Sequence, residues 1–179
     1  MSTTSPTLAK SATTGAIAGL AASMAMAMYA MFAAWNAGHG FFAPLFHIAS
    51  LFISPTAMNT AMDHAMMGHN FYFAVGPAIL GAIIHMMTGL MFGAIFGVIA
   101  AKTGLKGMSL YMAGAVYGFI VFAFSAWIGL PLAAAVFSSG DQITHMARMA
   151  GWTTFIIEHV IFGLALAMML PLFARKTAR

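Results

Sequence analysis

Four stretches of this chain, at about residues 13–35, 71–101, 108–136 and 151–173, run almost unbroken through apolar side chains. Each reaches or exceeds the roughly 20 residues that a helix needs to cross the hydrocarbon of a bilayer. No water in that layer satisfies backbone polar groups, so such a segment closes its hydrogen bonds on itself. The sequence therefore predicts an all-α integral membrane protein, a four-helix bundle in the lipid bilayer. Composition agrees. Of 179 residues, 62% are hydrophobic and 6% charged, against about a quarter charged in soluble domains. A water-exposed surface cannot be built from that inventory.

A single membrane domain is expected over residues 13–174, between a polar tail at 1–12 and a basic tail at 175–179. The first apolar run is longer than the 7–15 residues of a typical signal-peptide core, so it reads as a retained helix; cleavage would leave three spans. Residues 36–70 form an insert. Within it Phe41 to Ser54 is apolar but too short to span, with Pro44 near its start and Pro55 at its end, which suits an interfacial or re-entrant helix. The second span is long enough to tilt, and the third is expected to kink at Pro131.

Charge sets the expected orientation. Lys10, Lys102, Lys106, Arg175, Lys176 and Arg179 fall on one side of a four-span path, and Arg148 alone falls on the other. By the positive-inside rule both termini are cytoplasmic, and residues 36–70 and 137–150 face outward. The bases gather at helix ends rather than along a groove, so no nucleic-acid partner is indicated. Without cysteine there is neither a disulfide nor a thiolate metal site.

Short matches link the two halves. Gly15-Ala-Ile-Ala-Gly19 resembles Gly114-Ala-Val-Tyr-Gly118, and His85-Met-Met-Thr-Gly89-Leu90 resembles His159-Val-Ile-Phe-Gly163-Leu164. This reads as a parallel 2+2 helix repeat or, equally, as the small-residue composition of packed helices. In the second span Gly81, His85, Gly89, Gly93 and Gly97 recur every fourth residue, a stripe that lets helices approach closely. His159, Gly163 and Ala167 line up alike in the fourth. Both histidines should point into the bundle, beside Glu158, the only acid inside a span. A charge at that depth costs at least about 2.5 kcal/mol, so His85, Glu158 and His159 are expected to form an intramembrane polar site, or else structural hydrogen bonds.

The outer insert carries the second candidate. Met58, Met62 and Met66 share a four-residue spacing, with Asp63, His64, Met67 and His69 among and after them. Thioethers favour Cu(I), while imidazole with carboxylate also suits Cu(II) or Zn(II). Asp141, His145, Met146 and Met149 offer similar ligands in the other outer loop. His39 and His47 are weaker candidates, and most other methionines read as core filler.

No phosphate-binding glycine loop, nucleophile elbow or carboxylate pair is present, so hydrolytic chemistry has no support and no catalytic activity of its own is expected. Three readings remain. The first is copper capture through His64, His69, Met62, Met66, Met67, Asp63 and His145, with transfer toward His85, Glu158 and His159. The second is an accessory subunit of a larger respiratory or oxygenase complex, or a homo-oligomer. The third is a haem b held between His85 and His159.

Overall fold

A computed structural model describes residues 7–176, with side chains through Ala174. Among the described residues every regular element is helical. Four are long and apolar enough to cross a membrane: α1 (Leu8–Asn36), α4 (Val75–Thr103), the rod Met108–Phe137 and α9 (Trp152–Lys176). The chain is a multi-pass membrane protein. The rod consists of α5 (Met108–Phe124), a π-helical turn (Ser125–Gly129) and α6 (Leu130–Phe137). Between the spans lie the short helices α2 (Ala43–Ala49), α3 (Thr56–Met66), α7 (Asp141–Thr144) and α8 (Met146–Ala150).

Local chemistry explains the ends. The Thr7 hydroxyl accepts from the Lys10 amide at 3.3 Å, so α1 begins inside the stretch expected to be a polar tail. Gly104 stops α4 in the left-handed conformation that glycine adopts without penalty. The basic tail expected at 175–179 enters the description only as the α9 backbone of Arg175 and Lys176; its remainder lies outside the described residues. The apolar stretch from Phe41 to Ser54 is helical over Ala43–Ala49 alone, with Pro44 in the first turn, and continues as turns.

Packing follows the small-residue stripes. α1 lies against α4 on one side and α9 on another, and α9 lies against α5. At the α1–α4 crossing, Gly15 and Gly19 face Gly89, Gly93 and Gly97 so closely that a methyl on Gly15 would sit 2.8 Å from the Gly97 Cα. The α5–α9 crossing repeats the device, with Gly114 and Gly118 against Gly163 and the His159 backbone. In lipid, where apolar side chains gain little by meeting one another, such backbone proximity is what holds helices together. Polar side chains in the spans are satisfied locally: Ser23 Oγ donates to Leu20 O at 2.8 Å and Thr88 Oγ1 to Ile84 O at 2.9 Å.

α4 and α5 meet chiefly through Tyr117, which stacks near Phe96 and donates its hydroxyl to Phe92 O at 2.7 Å. Beyond Tyr117 and the edge-on contact of Phe92 with Phe124, ring centroids 6.0 Å apart, they part. Ahead of Pro131, where a kink was expected, the third span takes a π-helical turn: the Leu130 amide donates to Ser125 O, five residues back. That widened turn lies over the residues whose carbonyls the ring of Pro131 would strike in a regular helix.

At the end of the molecule carrying the short helices, two loops are tied together. Ser139 Oγ donates to Leu51 O at 2.5 Å, and His47 Nε2 donates to Gln142 O at 2.7 Å. The Phe41 amide donates to Asn70 O at 2.8 Å, which folds α3 back over α2.

Candidate intramembrane site

Where α4 and α5 part, they leave a cleft of about 520 Å³. α1 and α9 form its back, α2 and α8 close it toward the loop end, and Thr88, Met91 and Phe124 stand at its edge as exposed residues of α4 and α5. His85, Glu158 and His159, expected to share a polar site, all line this one cleft. Glu158 and His159 are buried.

Each imidazole has one nitrogen fixed by the backbone. His85 Nε2 lies 2.9 Å from Ser23 O, and His159 Nδ1 lies 2.7 Å from Phe155 O. A carbonyl oxygen only accepts, so each of these nitrogens carries the proton and the opposite nitrogen keeps its lone pair. His85 thus offers Nδ1 and His159 offers Nε2. A ring whose N–H is held by a carbonyl while its other nitrogen is a free base is the arrangement found in metal-ligating histidines. Glu158 Oε1 is 3.7 Å from His159 Nδ1, beyond hydrogen-bond reach, and that nitrogen's proton is already given to Phe155. No wholly enclosed side-chain nitrogen or oxygen lacks a partner among the described residues. The Glu158 carboxyl, which accepts no side-chain or backbone hydrogen bond there, therefore borders the open space of the cleft.

The cleft also collects residues that periodicity does not bring there. His39 and His47, the weaker candidates of the sequence, line it, and His47, like His85, gives its Nε2–H to a carbonyl. Six thioethers join them: Met26, Met58, Met62, Met91, Met146 and Met149. The outer methionine island is thereby divided. Met58 and Met62 turn toward the cleft from α3, whereas Met66 and Met67 are among the most exposed apolar side chains. His64 and His69 are drawn together outside it, with ring centroids 6.2 Å apart and Tyr72 stacked 4.7 Å from His64; Asp63 is exposed nearby. Across the loops His145 Nδ1 lies 3.7 Å from Asp141 Oδ1.

Among the described residues no three His, Asp or Glu side chains converge closely enough to hold a metal ion by themselves. The other soft donors lining the cleft are thioether sulfurs, a ligand type that favours soft cations. No protein-family model, no curated protein and no solved structure matches the chain.

Proposed function

We propose that this protein binds a copper ion inside the membrane, held by His85 and His159 with thioether sulfur from the same cleft. One observation carries the reading: a single cleft gathers imidazoles whose protons are pinned by carbonyls with methionines on several sides. Imidazole accepts either oxidation state of copper, thioether favours Cu(I), and no cysteine competes for the metal. Glu158 supplies a carboxyl that lowers the cost of a cation at this depth.

In the bilayer the four spans form a bundle, with α2 as a re-entrant helix that closes the cleft. Lys10, Lys102 and Lys106 mark the cytoplasmic end, and α2, α3, α7 and α8 face outward. The half-buried His64 and the exposed His69, with Asp63, Met66 and Met67 beside them, make first contact with the ion. Retention belongs to the cleft.

Protein grown in copper-replete medium and purified in detergent is expected to carry close to one copper per chain. His85→Ala with His159→Ala should lower that at least about tenfold with unchanged helicity, while His64→Ala with His69→Ala should leave the bound copper in place. Metal-free wild-type protein from such cells would overturn the reading.

A second reading is favoured by the exposed edge between α4 and α5: a small lipophilic molecule with a hydrogen-bonding end group, entering from the lipid. Mass spectrometry of an organic extract of the purified protein, finding one such molecule per chain, would establish it in place of copper.

A further inference from the structure

Outside the cleft, at the loop end, lies a shallower pocket of about 300 Å³. Asn59, Asp141, His145 and Arg148 line it, and so do Met58 and Met149, which line the cleft as well. Met58 comes from α3 and is buried; Met149 comes from α8 and is exposed. Among the described residues no other side chain borders both spaces. We propose that these two methionines form a thioether gate through which a soft cation passes from the outer pocket into the cleft.

The chemistry of the partition supports this. A plug needed only for packing could be leucine or isoleucine. Methionine adds a soft donor on a side chain with three rotatable bonds, so a sulfur can follow the ion through while the backbone stays in place. Neither thioether is tied by a hydrogen bond, so moving one leaves no polar group unpaired. In the outer pocket the ion meets oxygen and nitrogen ligands before the gate, since Asp141 and His145 stand one helical turn apart with 3.7 Å between Oδ1 and Nδ1. Arg148 shares the pocket and opposes accumulation of cations there, which fits a passage rather than a store. The ligand set thus softens inward: carboxylate and imidazole, then thioether, then thioether with the pinned imidazoles of the cleft.

This inference rests on the copper reading, and one experiment separates the two. Full-length apo-protein in lipid nanodiscs, where bilayer covers the edge between α4 and α5, is mixed with Cu(I) supplied as its coloured bicinchoninate complex. Loss of colour gives both the rate and the end point of transfer. Met58→Leu with Met149→Leu, a nearly volume-conserving change, is expected to slow transfer at least about tenfold with the same final stoichiometry. Met149→Leu alone, at an exposed position where folding is not at risk, should slow it by a smaller factor. Met112→Leu, exposed on α5 and bordering neither space, should load at the wild-type rate. Transfer to the double and the Met149 variants as fast as to wild type would overturn the gate while leaving the copper reading intact. Wild-type protein that takes no Cu(I) at any time would overturn the reading itself, and the gate with it.

Discussion

A single methyl group decides whether α1 and α4 can lie together. Added to Gly93, it would sit 2.6 Å from the Gly19 Cα and 2.9 Å from the Gly19 amide nitrogen, backbone atoms that cannot swing aside. Gly93→Ala is therefore expected to destabilise the protein by about 1–3 kcal/mol, read as a lowered Tm in detergent. Gly76→Ala, with nothing within 4 Å, should leave Tm nearly unchanged; equal effects would show that the stripe is not an interface. His47 supplies a second prediction. Burial lowers its pKa from the ordinary 6.5, against a smaller upward pull from the Gln142 carbonyl. The unfolded chain then binds the proton more readily than the folded one, so the stabilisation is complete above the ordinary value and is lost as pH falls through the depressed one. Thermal unfolding followed from about pH 8 to pH 5 should show Tm falling at the acid end, with a shallower fall in His47→Gln. An identical fall in both would assign the acid sensitivity elsewhere. The sequence made His85 and His159 legible because helical periodicity fixes their faces. It could not do so for His39 and His47, which reach the cleft through loop contacts such as the one to Gln142, distant in sequence.

Among the elements, the rod from Met108 to Phe137 departs most from regularity. Its π-helical turn brings Ser125 and Gly129 to the cleft wall and leaves Trp127 exposed, stacked at 6.0 Å on Trp152 from the start of α9. Trp35, near the end of α1, is also exposed and contacts Phe71. All three tryptophans thus sit toward the loop end, where indoles favour the headgroup region. In bilayers of brominated lipid, tryptophan fluorescence is expected to be quenched more strongly by bromines near the headgroup than by bromines near the chain ends; the reverse order would place this end of the molecule deep in the hydrocarbon. Pro131 announced an irregularity, yet not its form, because relief of a proline clash can be taken up by a π turn or by an opened α turn. Met58, Met62 and Met66, four residues apart, all lie on α3. Its placement depends on the chain reversal at Gly40, whose φ of +91° and close approach to Ala61 no periodicity reports.

At the scale of the whole molecule, the absence of cysteine makes topology directly measurable. Lys102→Cys and Met67→Cys, both at exposed positions on opposite sides of α4, should react with a membrane-impermeant maleimide from opposite faces of sealed vesicles. Labelling of both from one face would rule out the crossing between them. The four crossings were readable from hydropathy alone, since a bilayer imposes length and apolarity on each helix separately. Which helices touch was not, because the glycine stripes mark interfaces without naming partners. The result is that α1 touches both α4 and α9, and this has a consequence for biogenesis. A ribosome delivers α1 to the membrane first and α9 last. The glycine contact with α4 can close when barely half the chain has been made, but Ala18 and Ala22, which pack in one cluster with Phe162, Leu166 and Ala167, must wait against lipid until synthesis is nearly complete. His159 arrives with that last helix, so a partly made chain lacks the second imidazole of the proposed site.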